Sequence, residues 1–123
     1  MEVEQVDFVS VPTRDATRAV AWYRDLLALP ESEFSEGEVE APNLTLSFWS
    51  PEAQGEQFCP NENGVAFRVP DVHAAVEELR AAGAEVIGIE DSGVCHMGFC
   101  KDPDGNVLIL HRRYAPKVHR GEG

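Results

Sequence analysis

The chain has 123 residues, which is the size of one domain and makes a two-domain enzyme a poor expectation. Hydrophobic residues make up 43% and charged residues 26% of the sequence, as in ordinary soluble globular proteins. Ten Lys and Arg stand against 22 Asp and Glu, and the resulting formal net charge of −12 disfavours nucleic acids and anionic membranes as partners.

The sequence also indicates the compartment. Charges, Gly or Pro interrupt every apolar run before the ~20 residues that a membrane-spanning helix needs, and the acidic start is unlike a secretion signal. The three cysteines, Cys59, Cys95 and Cys100, are too few and odd in number for a disulfide framework. We therefore expect a cytoplasmic protein.

The first half of the chain begins with a strand and a helix. Residues 6–12 are rich in Val and Phe and predict a buried strand. Asp15 is a candidate N-cap for a helix over residues 16–28, whose apolar residues recur at helical spacing. The glutamate-rich residues 31–40 indicate a short exposed hairpin, and residues 43–49 the next strand.

The second half repeats this order. Residues 64–70 predict a strand, Asp71 a second N-cap, and residues 72–82 a second helix. Strands are then expected over residues 86–89, 94–99 and 107–110, with a turn at Asp102-Pro103-Asp104-Gly105. A constant offset of 56 relates identical residues of the two halves, Asp15 and Asp71 among them, so the sequence predicts two βαβββ units.

The two units, the segments FVSVPTRD and AWYRDLLAL, and the DPDGN turn together resemble the vicinal oxygen chelate superfamily. This superfamily contains glyoxalases, bleomycin-resistance proteins and extradiol dioxygenases, and the resemblance covers about residues 6–114. It implies an α+β fold in which eight strands curl around a central cup. The whole chain, residues 1–123, would be a single such domain, with units over about 6–58 and 62–115.

The resemblance also implies where a divalent metal would be held, because enzymes of the superfamily take ligands from the first and last strand of each unit. Those positions fall on Phe8, Leu46, Gly64 and Ile109. None of these side chains offers a lone pair to a divalent cation. We therefore expect neither a metal site nor another cofactor.

Strand alternation predicts which side chains line the cup. The predicted ligand-binding residues combine apolar walls with a few polar groups, as small-molecule pockets do: Phe8, Ser10, Phe48, Arg68, Cys95, Met97, Phe99, Ile109 and His111. Five of them have structural alternatives that stay open. Arg68 could form only a salt bridge, His111 could begin an exposed basic tail, and Cys95 could be a small buried hydrophobic residue. Met97 and Phe99 could fill a core without any ligand.

Two functions follow from the resemblance. The first is a metal-free protein that binds and sequesters a small molecule, like the antibiotic-sequestering members, which capture bulky cationic ligands in clefts of a dimer. The second is a lyase, isomerase or dioxygenase-type enzyme that acts without a tightly bound metal and uses Arg68 and His111 toward an anion or enolate. The missing acid–base pair favours the first. We also expect a homodimer, since members of the superfamily commonly pair.

Overall fold

The structure is a computed structural model that describes residues 1–117. Within them lie two α-helices and two small sheets, which confirms the α+β class. None of the described helices is long and apolar enough to span a membrane. The elements are β1 (Phe8–Pro12), α1 (Ala16–Leu27), β2 (Glu38–Glu40), β3 (Thr45–Trp49), β4 (Val65–Arg68), α2 (Val72–Ala81), β5 (Glu85–Asp91), β6 (Cys95–Lys101) and β7 (Val107–Arg113).

The chain divides into two compact units. Among residues 1–117, unit 1 comprises Met1–Glu62 together with Asp102–Asn106, and unit 2 comprises Asn63–Lys101 and residues 107–117. The turn that joins β6 to β7 therefore belongs to unit 1, although both strands belong to unit 2.

Unit 1 is a three-stranded sheet in the order β1-β3-β2, with α1 on one face. Strands β1 and β3 are parallel, and β2 is antiparallel to β3. The hairpin expected over residues 31–40 is smaller than expected: only β2 forms a strand, and Glu31 makes an isolated bridge to Val39. Ser32 Oγ accepts hydrogen bonds from the backbone N–H groups of the next turn, which diverts the chain from a longer pairing.

A buried polar network closes unit 1 around the 102–106 turn. Asp102 is 6% exposed, and its carboxylate accepts hydrogen bonds from Tyr23 Oη (2.7 Å) and Asn106 Nδ2 (2.9 Å). Asp104 accepts from the hydroxyl of Thr13 (2.6 Å) and from the guanidinium of Arg18 (3.0 Å). The turn therefore serves unit 1 through charge-assisted hydrogen bonds as well as reversing the chain.

Unit 2 is a four-stranded sheet in the order β4-β7-β6-β5, with β4 and β7 parallel and the other pairs antiparallel. Helix α2 packs very closely on β6 at Gly98. A Cβ added there would lie 2.5 Å from Val76 Cγ2 and 3.2 Å from Val72 Cγ1. The core on this side is apolar and includes Leu108 and Leu110, which are 1% and 3% exposed.

The two halves begin their helices with the same device, as the sequence predicts. Asp15 accepts a hydrogen bond from the backbone N–H of Arg18 (3.1 Å), and Asp71 accepts one from that of Ala74 (3.0 Å). Each carboxylate pairs with a backbone donor that the first helical turn leaves unused.

Candidate functional site

Each sheet has one face that its own helix covers and one that it does not, and we call the second the helix-free face. In unit 2, Gly98 contacts α2, so residues at the alternate positions of β6 project from the helix-free face. Strand register then places the partners of these residues on the same face. Six of the nine predicted ligand-binding residues share it: Arg68, Cys95, Met97, Phe99, Ile109 and His111.

The register makes several of these residues direct neighbours. Arg68 pairs with His111 across the parallel strands β4 and β7, and His111 pairs with Met97 across β7 and β6. Phe99 pairs with Ile109 one step along the same strands. A basic pair thus lies beside an apolar wall, the combination expected of a small-molecule site.

Two arginines carry positive charge on this face. Arg68 is exposed, and within residues 1–117 its guanidinium has no ion-pair partner, which does not support the salt-bridge alternative. Arg113, missed by the sequence analysis, follows His111 by two residues and pairs in register with Cys95. Its terminal nitrogens reach Cys95 Sγ (4.0 Å) and the Pro116 carbonyl (3.1 Å), while its buried Nε has no hydrogen-bond partner among residues 1–117.

In unit 1, Phe8 and Ser10 lie on the helix-free face, and Phe8 is 58% exposed. Phe48 does not lie there, so the prediction that it shares a face with the other cup-lining residues is wrong. Its ring is 4.8 Å from that of Tyr23 on α1, and only 6% of it is exposed. Leu46, two residues earlier, is on the same buried face.

The metal-ligand position that the resemblance puts on Leu46 is therefore offset by one residue. Val11 pairs with Phe48 in unit 1 as Phe67 pairs with Leu110 in unit 2, which makes Ser47 the counterpart of Ile109. By the same register, Trp49 is the counterpart of His111. The alternation of Thr-Leu-Ser-Phe-Trp carries this signal, because apolar residues of a half-covered strand normally face the core.

The donor set at these positions does not fit a divalent metal. Phe8, Gly64 and Ile109 carry no donor atom, and Ser47 offers only a neutral hydroxyl, which is absent from the usual zinc ligands. The space is also filled, because a Cβ on Gly64 would lie 3.1 Å from Ile109 Cδ1 and 3.2 Å from Val107 Cγ1. Among residues 1–117, no three His, Cys, Asp or Glu side chains are grouped so as to hold a metal ion.

A second polar cluster lies on the helix-covered side of unit 2, near the end of β5. Tyr114 Oη donates to Asp91 Oδ1 (2.7 Å), and His96 Nε2 is 3.3 Å from Asp91 Oδ2. The hydrogen bond from Tyr114, with one from the Gly93 N–H, lowers the pKa of Asp91, and the same carboxylate raises the pKa of Tyr114. This cluster is separate from the basic pair because it projects from the opposite face.

The fold is that of the glyoxalase, bleomycin-resistance and dioxygenase class. The profile of the Glyoxalase-like domain family matches residues 8–111, and the chain belongs to that family. No curated protein sequence is significantly similar to it.

Solved structures of the class are similar over nearly the whole chain. TnmS3, an antibiotic binding protein from Streptomyces sp. CB03234, is 23% identical with a TM-score of 0.74, covering 92% of this chain and 98% of its own. A superfamily member from Sphaerobacter thermophilus DSM 20745 is 17% identical, also at 0.74, with 89% and 97% covered. Lactoylglutathione lyase from Agrobacterium tumefaciens is 15% identical at 0.73, with 89% and 94% covered. At such identities the similarity shows the fold alone.

Proposed function

We propose that this protein binds and sequesters a small molecule without a resident metal ion. The observation that carries the proposal is the close approach of Ile109 to Gly64, where an added Cβ would lie 3.1 Å from Ile109 Cδ1. Two positions at which enzymes of the class place metal ligands are here a bare backbone and the branched alkyl chain that packs over it. The same residues therefore form a wall for apolar ligand surface instead of a coordination sphere.

The neighbouring side chains support this function. Met97 and Phe99 extend the apolar wall across β6, and Phe99 is the register partner of Ile109. A sequestering protein needs such a wall and a few orienting polar groups, but no acid–base pair. The structural similarity to an antibiotic binding protein agrees with this role.

Metal content is the first test. The purified protein is incubated with Zn²⁺, Ni²⁺, Mn²⁺ or Fe²⁺, desalted and measured by inductively coupled plasma mass spectrometry. We expect far less than one metal per chain, also for the double variant Gly64→His/Ile109→Glu, because two donors do not complete a site. About one metal per wild-type chain, lost together with ligand binding, would contradict the proposal.

A ligand screen is the second test. Antibiotics and other aromatic small molecules are screened for a shift of the melting temperature, and we expect stabilisation that Ile109→Glu abolishes. The matched control is Ile89→Glu, which changes a residue whose register partner, Gly98, lies on the helix-covered face of the same sheet. Equal loss of binding in both variants would place the ligand elsewhere.

The register neighbours Arg68 and His111 favour one second candidate, an enzyme that stabilises an anion or enolate without a metal. Compounds found in the screen are incubated with the protein and followed by mass spectrometry. Recovery of the unchanged compound supports sequestration. A product that forms with wild type and not with His111→Gln would replace the first proposal by this one.

We also propose a homodimer that resides in the cytoplasm. The unpaired backbone groups at sheet edges are often covered by another chain, and the exposed Phe8 and Trp49 of unit 1 offer apolar surface for such a contact. Light scattering should give twice the chain mass of 13.5 kDa at micromolar concentration. A monomer mass would contradict the dimer, and recovery in a membrane or secreted fraction would contradict the location.

A further inference from the structure

We propose that the helix-free face of unit 2 selects an amphiphilic anion: an aromatic or aliphatic body that carries a sulfonate, carboxylate or phosphate group. The body would lie on Ile109 and Phe99, and the anionic group would be held by Arg68 beside His111. The inference rests on the proposed function, and it adds the chemical class of the ligand.

Three basic side chains are consecutive on this face. Arg68 and His111 are register partners on β4 and β7, and Arg113 is the next residue of β7 on the same side. Alternation within β7 explains this grouping, because Arg112 between the two projects from the opposite face. An anion placed over β4 and β7 would therefore meet donors from two strands.

The carboxylates of residues 1–117 do not neutralise Arg68. The formal net charge is −12, yet within residues 1–117 no carboxylate lies within ion-pair distance of this guanidinium. Glu90 is on the same face, but Met97 and His111 lie between it and Arg68 in the register. Three strand spacings of ~4.8 Å separate the two backbones by about 14 Å.

Arg113 adds positive charge that is held in place. Its contacts with Pro116 and Cys95 fix the guanidinium, and its buried Nε–H has no acceptor among the described residues. Arg68 differs, because within residues 1–117 its guanidinium has no ion-pair partner and can make a bidentate contact with an oxyanion. The apolar wall adjoins this pair directly, since Ala66 and Ile109 pair one step before Arg68 and His111.

Two fluorescent probes that differ only in one sulfonate test the inference. They are 8-anilinonaphthalene-1-sulfonate and the neutral N-phenyl-1-naphthylamine, titrated against the folded protein with near-UV circular dichroism as the check on folding. We expect wild type to bind the sulfonate at least tenfold more tightly, against the sign of its net charge. Arg68→Gln should weaken the sulfonate about tenfold to a hundredfold and leave the neutral probe within twofold.

Arg112→Gln is the matched control, because it removes the same charge from the opposite face of β7. It should leave both affinities unchanged, and Arg68→Lys should recover only part of the sulfonate affinity. Equal affinity for the two probes in wild type, or equal losses in Arg68→Gln and Arg112→Gln, would overturn the inference and leave small-molecule binding intact. No saturable binding of either probe would overturn the proposed function as well.

Discussion

The two units share the same order of strand and helix but differ in the side chains on their helix-free faces. Each has a strand, an Asp-capped helix and a sheet with one helix-covered face. On the helix-free face, however, unit 1 has hydroxyls and carboxylates, such as Ser47, Thr45 and Glu40, beside the apolar Phe8 and Trp49, whereas unit 2 combines basic with apolar side chains. The repeat therefore preserves the positions that build the core and leaves the other face free to differ.

The interiors differ as well. Unit 1 depends on a network of buried polar groups around Asp102 and Asp104, whereas unit 2 depends on close contact of α2 with Gly98. Hydrogen-bonded charges and apolar contact respond differently to substitution and to pH. The following changes test that contrast.

Asp102→Ala should give the largest effect. It leaves the Tyr23 hydroxyl, the Asn106 amide and two backbone N–H groups of the turn without their acceptor. Several unsatisfied buried donors should lower the free energy of unfolding by about 3–5 kcal/mol in urea denaturation. Asp25→Ala, at an exposed ion pair with Arg24, is the control and should leave the free energy of unfolding nearly unchanged. If Asp102→Ala lowered the free energy of unfolding by less than about 1 kcal/mol, the buried polar network would not be what stabilises unit 1.

Gly98→Ala should give the next largest effect. The new methyl group would lie 2.5 Å from Val76 Cγ2, and valine has little rotamer freedom in a helix. Overpacking of this kind should cost about 1–3 kcal/mol. Gly88→Ala on the neighbouring strand is the matched control, because a Cβ there meets nothing within 4 Å. Equal stability of the two variants would show that α2 does not pack closely on β6.

Local sequence patterns were sufficient to predict both helices and most of the strands. Asp15 and Asp71 mark the helix starts because capping depends only on nearby residues. The extent of the hairpin over residues 31–40 could not be predicted, because pairing at Glu31 is limited by a turn that Ser32 forms. This segment is rich in glutamate, which has a low preference for strands.

The candidate site was predictable in unit 2 and only partly in unit 1. From Ile109 and Arg68, alternation alone gives the correct face, because β4, β6 and β7 keep their register without interruption. In unit 1 the family's metal-ligand position was assigned to Leu46, whereas the pairing of β1 with β3 puts it at Ser47, one residue later. A shift of one residue reverses every side chain of a strand, so Phe48 was assigned to the wrong face.

The pH dependence of unfolding should distinguish the two interiors. Burial, and then the Asp102 carboxylate, raise the pKa of Tyr23 far above its usual value of about 10. The resulting stability is complete below pH 10 and is lost as pH rises further, by about 1.4 kcal/mol per pH unit, because only the unfolded state ionises. Tyr114→Phe leaves Tyr23 as the one tyrosine, so absorbance at 295 nm reports it alone. Ionisation should coincide with unfolding seen by circular dichroism, and titration near pH 10 in the folded protein would contradict the buried contact.

The smallest expected effect concerns the Asp N-caps that both units share. Asp15→Ala and Asp71→Ala each remove one carboxylate from a helix N-terminus, with hydrogen bonds of 3.1 and 3.0 Å. Each should lower the free energy of unfolding by about 1 kcal/mol, and Asn at either position should restore most of it because its side-chain oxygen accepts the same bond. Equal losses of unfolding free energy in urea denaturation would mean that the two Asp residues stabilise their helices to the same extent. A difference above about 1 kcal/mol would show that one cap has acquired a further role, and that the halves differ in their shared plan as well as in their helix-free faces.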